Sequence, residues 1–149
     1  MRRHPYASAM LAREGSGALA PLLAPSVEFD SAALHRPFVG KEAVLRLLPV
    51  LRDCFADVEI TDEFTAANAL SFVFSGRIGA RDVNGLQLVR FGPDGLITRV
   101  TGMVRPLTGL VALSEAMAPH VVTLADGSHD IASPVLDTET HKTSSASGT

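Results

Sequence analysis

The pattern of apolar and polar residues is most informative between Leu86 and Pro106, where LQLVRF is followed by GPDG and then by LITRVTGMV. Two β-rich runs flank Gly92-Pro93-Asp94-Gly95. Pro93 pre-sets φ for a turn, Asp94 can hydrogen-bond its own backbone, and Gly95 can take positive φ, so the stretch predicts a hairpin. In the first strand Gln87, Val89 and Phe91 share one face. Leu86, Leu88 and Arg90 share the other. In the second strand Leu96, Thr98, Val100, Gly102 and Val104 share one face, opposite Ile97, Arg99, Thr101 and Met103. A four-residue loop sets Gln87, Val89 and Phe91 beside Val100, Thr98 and Leu96, and a slip of one residue would reverse the faces. Both faces carry apolar side chains, which predicts a sheet covered on both sides. One cover is helices of the same chain. The other, with Arg90, Arg99 and Met103 among aliphatics, reads as a protein–protein surface.

The same patterns order the rest of the chain. Residues 5–13 suit a short helix opened by Pro5, and residues 18–24 a second, interrupted by Pro21. SVEFDS (26–31) alternates as a strand, and residues 32–39 form a loop with His35, Arg36 and Pro37. Gly40 starts a helix to about Phe55 with a stripe of Val44, Leu48, Leu51 and Phe55; Pro49 should bend or split it. Residues 57–64 alternate as a strand with one wet side. Residues 69–78 are a strand with Leu70, Phe72, Phe74 and Ile78 on one face. Residues 81–85 read as a turn centred on Asn84-Gly85. A last helix spans 107–118, with Leu107, Leu110, Val111, Ser114 and Met117 on one side. From Ala125 the chain turns to Asp, Ser, Thr, His and Gly, so a domain over 1–120 and a disordered tail over 121–149 are expected. The order of elements gives an α+β fold, a strongly curved, mostly antiparallel sheet wrapped around a long helix, leaving a conical hollow.

Composition narrows the function. A chain of 149 residues forms one domain large enough for a real core. A net charge of −3, with its 13 Lys and Arg scattered, argues against a nucleic-acid partner. The single cysteine, Cys54, excludes an internal disulfide and reads as a buried structural thiol. No apolar run reaches membrane-spanning length, and Arg13 and Glu14 interrupt any signal-peptide core after Arg2-Arg3, so a cytoplasmic protein is expected. His120, His129 and His141 lack metal-ligand spacing, and no metal or cofactor is expected.

The segments VEFDSAALHRPFVGKEAV and LQLVRFGPDGLITRV, with the helix between them, resemble the nuclear transport factor 2-like superfamily, and within it the SnoaL-like relatives of polyketide cyclases and ketosteroid isomerases. The resemblance covers about residues 5–105. It implies a cone-shaped α+β barrel, usually a homodimer through the outer sheet face, with one apolar pocket. Members include isomerases, cyclases, dehydratases, epoxide hydrolases and pure binding modules, so fold alone fixes no reaction.

Carried over residue by residue, the isomerase pattern puts the general base at Asp30, allowing a one-residue gap before Gly40. It puts the second acid, three positions before the Arg90-Phe91 pair, where Gln87 stands. It puts a helix tyrosine at Tyr6. Gln87 can donate an amide N–H but is not the protonated acid that ketosteroid chemistry uses. The cyclase pattern expects its acid at Gln87 too, and the Asp–Arg–Asp set of the epoxide hydrolases is not found. Two functional readings follow. In one, Asp30 abstracts a proton from a small apolar carbonyl or polyketide-like compound, Gln87 and Tyr6 hold the oxyanion, and His35 shuttles protons. In the other, the hollow only binds a hydrophobic molecule, or is filled and the chain is a dimeric interaction module. Phe38, Phe72, Phe74, Val89, Phe91, Val100 and Val104 are core, and line the pocket if the cone is open.

Overall fold

The computed structural model describes residues 3–13 and 16–120. Helix α1 (Pro5–Ala12) and a short α2 (Ser16–Leu19), extended by a 3-10 turn (Ala20–Leu22), lead into strand β1 (Leu23–Asp30). A loop and the two-residue β2 (Phe38–Val39) precede helix α3 (Lys41–Asp53). Four long strands follow: β3 (Ala56–Ala66), β4 (Ala69–Ile78), β5 (Arg81–Phe91) and β6 (Ile97–Arg105). Helix α4 (Leu107–Met117) and a 3-10 turn (Ala118–His120) close the described chain. The fold is α+β. One six-stranded sheet, in the order β2-β1-β6-β5-β4-β3, is antiparallel except for the parallel pairing of β1 with β6. The expected tail from residue 121 lies outside the described residues.

The hairpin forms as its turn chemistry predicts. Gly95 has φ 82°, its N–H donates to the Gly92 carbonyl at 2.9 Å, and Leu96 N–H donates to Asp94 Oδ1 at 3.1 Å. The register is two residues from the expected one: Gln87 faces Gly102 and Val89 faces Val100. An even shift keeps the faces. A bulge at Arg90/Phe91 then takes up Thr98, so Phe91 pairs with Ile97. Ile97, expected outside, is therefore fully buried with Val100.

Two further expectations are corrected. Residues 81–85 are not a turn but the start of β5; the reversal lies at Gly79-Ala80, where Gly79 takes φ 60°. Gly85 serves another purpose. It faces Phe74 across the ladder, and a Cβ there would stand 2.1 Å from the Phe74 ring, so its bareness seats that ring. Second, α3 runs through Pro49 as one helix. The cost of one lost backbone bond is met by burial of Val44, Leu47, Leu48 and Leu51 along its core side. Gly40, with φ 94°, starts this helix where a side chain would be strained, and Val44 N–H donates to its carbonyl.

All the long helices pack on one face of the sheet. The core lies between that face (Leu70, Phe72, Val83, Val89, Val100) and Tyr6, Leu47, Leu48 and Leu113 of the helices. On α4 the buried side is Gly109, Leu113, Ser114 and Met117, while Leu107, expected there, is exposed. The outer face has no cover within the described chain. Its middle row crosses the sheet through Val73, Leu86 and Met103, and Met103 is 54% exposed.

Candidate functional site

The site grows from α1. Pro5 opens that helix, and His4 caps it, its Nδ1 accepting the Tyr6 N–H at 3.1 Å. Burial holds the His4 imidazole below its ordinary pKa, against the opposing field of Glu63. The cap turns the fully buried Tyr6 ring towards the sheet, where its hydroxyl donates to Gln87 Oε1 at 2.9 Å. Burial pushes the Tyr6 pKa far up, so the phenol is a neutral donor throughout the physiological range. Gln87 projects from the inner face of β5. It is flanked across the ladder by Phe72 on one side and by Gly102, with no side chain, on the other. Among the described residues its amide N–H2 group makes no hydrogen bond.

Beside this pair lies an apolar cavity. Room for the centre of a water-sized sphere amounts to about 70 Å³, several times the roughly 10–15 Å³ that one water needs on that measure. Phe29, Phe55, Phe72, Phe74, Val104 and Leu113 supply most of the wall, and Gln87, Ser31 and Arg52 its polar points. Phe55 meets Phe74 edge to face at 5.5 Å, and Phe72 lies 6.3 Å from the Tyr6 ring. The aromatics thus line the hollow without filling it.

Tyr6 and Gln87, both singled out in the sequence, come together. Asp30 does not join them. In β1 Val27 and Phe29 are buried, so Asp30 turns with Glu28 to the outer face. There its carboxylate accepts from Arg99 Nε at 2.8 Å, Arg99 Nη2 at 3.1 Å and Thr101 Oγ1 at 3.2 Å. The expectation of an inward-pointing Asp30 is corrected: Ser31, its neighbour, is the residue at the cavity wall. The alternation of SVEFDS already contained that answer. His35 is exposed on the loop, away from the wall. Phe38, Val89 and Val100 are buried core behind the cavity, and Phe91 packs on the His4 ring at 5.0 Å.

One acid does turn inward. Glu63 on β3 stands opposite Phe72, and its Oε1 is buried with no hydrogen-bond partner among the described residues, though outside the cavity wall. Arg52 was not singled out in the sequence at all. Its side chain is 8% exposed, Nη1 donates to the Ala9 carbonyl at 3.4 Å, and Nε lies 3.8 Å from Asp53 Oδ1. The signal was its spacing: four residues after Leu48, it sits on the core stripe of α3. Cys54 is half-buried, its Sγ donating to the Val50 carbonyl at 3.3 Å and lying 3.6 Å from Met117 Sδ, and burial pushes its thiol pKa up. Among the described residues no three His, Cys, Asp or Glu side chains gather as a metal site would require, and no helix is long and apolar enough to cross a membrane.

The fold has solved relatives. A steroid delta-isomerase from Pseudomonas aeruginosa is similar over 79% of this chain and 87% of its own, at 30% identity and a TM-score of 0.74. The chain belongs to the nuclear transport factor 2-like superfamily. Within it, the likeness at 30% identity is to a steroid delta-isomerase. An uncharacterised protein with a cystatin-like fold from Silicibacter pomeroyi matches 80% of the chain and 87% of its own at 24% identity and TM-score 0.74. A SnoaL-like polyketide cyclase from Shewanella denitrificans shares the fold, at 11% identity over 77% of this chain and 93% of its own, TM-score 0.56. No family model and no curated protein matches the sequence.

Proposed function

We propose that this nuclear transport factor 2-like protein binds a small apolar molecule bearing an oxygen acceptor, such as a cyclic or aryl ketone. The hydrogen bond from Tyr6 to Gln87 carries this reading. It commits Oε1, so the amide N–H2 is the part of Gln87 left to a ligand. The walls are mostly apolar, and a low local dielectric strengthens the bond offered there. The steroid named in the Pseudomonas relative supports a cyclic apolar body. Binding is favoured over proton transfer because Asp30 is engaged by Arg99 and Thr101 on the opposite face.

The test is titration calorimetry with 4-phenylbutan-2-one against butylbenzene, which has the same number of carbon atoms without the oxygen. The ketone should bind tighter in the wild type, and Gln87→Leu should erase the difference. Equal binding of the two, or none, sinks the reading. Conversion of a β,γ-unsaturated cyclic ketone to its conjugated isomer, abolished by Asp30→Asn, would replace it with catalysis. We also propose that two copies meet through the outer face, supported by the apolar row Val73, Leu86 and Met103. Light scattering should then give a dimer that Met103→Glu splits; a wild-type monomer at high micromolar concentration overturns this.

A further inference from the structure

We propose that Gly102 is the residue that lets a ligand reach Gln87, and that its missing side chain makes room for a bulky group beside the ligand's oxygen. This rests on the pocket reading above and sharpens its ligand class to ketones that are branched or cyclic next to the carbonyl.

A glycine inside a strand weakens it, because it costs backbone entropy and offers no side chain to pack. Such a glycine needs a reason. Gly85 on β5 has one, since a Cβ there would stand 2.1 Å from the Phe74 ring. Gly76 on β4 has another: a Cβ there would stand 3.1 Å from the Ala56 carbonyl oxygen. Gly102 on β6 has neither. The nearest atoms to a Cβ there are the Asp30 carbonyl oxygen and Phe29 Cζ, both at 3.8 Å, an ordinary contact distance. Its φ is not positive, and no bulge falls on it, since the β5–β6 ladder is regular from Asn84 opposite Arg105 to Arg90 opposite Arg99. An alanine would fit this backbone and this packing. What the bare position does border is the cavity. Gly102 belongs to its wall and pairs directly with Gln87. Side chains paired across two strands stand about 4.5–5.5 Å apart at their Cβ atoms, so a methyl group at 102 would project beside the Gln87 amide. The space is left at the point where the ligand's oxygen docks. The Phe29 ring borders that gap, which suits an alkyl branch or the edge of a ring.

The experiment adds 4,4-dimethyl-1-phenylpentan-3-one, the tert-butyl counterpart of 4-phenylbutan-2-one, to the calorimetric pair above. The wild type should bind it at least as tightly as the methyl ketone. Gly102→Ala should weaken it about tenfold and leave the methyl ketone within about threefold. The denaturation midpoint of Gly102→Ala should equal or exceed that of the wild type, whereas Gly85→Ala should fall well below it. A Gly102→Ala midpoint below the wild type's gives the glycine a structural role and overturns the inference. A ratio between the two ketones that Gly102→Ala does not move overturns it too, and leaves the pocket reading standing when the methyl ketone still outbinds butylbenzene. So does a wild type that rejects the tert-butyl ketone. Binding of none of the three ligands removes both readings.

Discussion

Asp30 and Gln87 stand two strands apart, on β1 and β5 with β6 between them, yet their surroundings are opposite. On the outer face Asp30 is met by three donors from two β6 side chains, and the pair remains wet, with Asp30 29% and Arg99 43% exposed at their side chains. On the inner face Gln87 has one side-chain partner, Tyr6, and an amide left towards a cavity. A polar group at a wet surface finds partners cheaply and contributes little. The same group in an apolar interior is costly unless matched, so each donor there has consequences for what can bind. A chemically attractive residue therefore counts only on the face where water is excluded.

Three changes test that contrast, beginning with the largest. Phe74→Ala removes a ring that roofs the cavity over Gly85, and should cost about 3–5 kcal/mol in chemical denaturation while admitting a ligand one ring larger. A smaller loss with unchanged ligand size would mean that the wall collapses. Tyr6→Phe strands Gln87 Oε1 and should cost about 1–3 kcal/mol. It also carries a pH signature. The folded Tyr6 pKa is raised by burial, so above about pH 10 the unfolded chain releases this proton first, and stability falls as pH rises. The phenylalanine variant should lose stability less steeply than the wild type above pH 10; parallel curves would place the hydroxyl in water. Asp30→Asn should cost below about 1 kcal/mol, after discounting for solvent, and leave ligand affinity unchanged. A clear change in affinity would join the two faces and undo the comparison.

Much of this was open to reading in advance. The GPDG turn, the buried side of β4 and the stripe of α3 follow from local rules, since turn residues set φ and periodicity sets faces. The bulge at Thr98 was not readable, because it depends on how β5 and β6 settle against the core, and it alone carries Ile97 inside. The start of β5 was missed for a related reason. Asn84-Gly85 has the composition of a turn, but the glycine is needed to admit the Phe74 ring, a contact between residues on different strands. For Asp30 the motif position points inward, while the alternation of its own strand, with Val27 and Phe29 buried, turns it outward.

The sequence by itself determined most of the elements and their apolar faces, because these depend on backbone preferences and on residue spacing, while Tyr6 and Gln87 stood out as a pair only through the family resemblance. Tertiary packing decided which polar groups share the hollow. It turned Asp30 outward to Arg99, drew Arg52 in beside α1, and left space between the aromatics. Those outcomes follow from how strands and helices with buried faces fit together at close packing, and that fit is a property of all the elements at once.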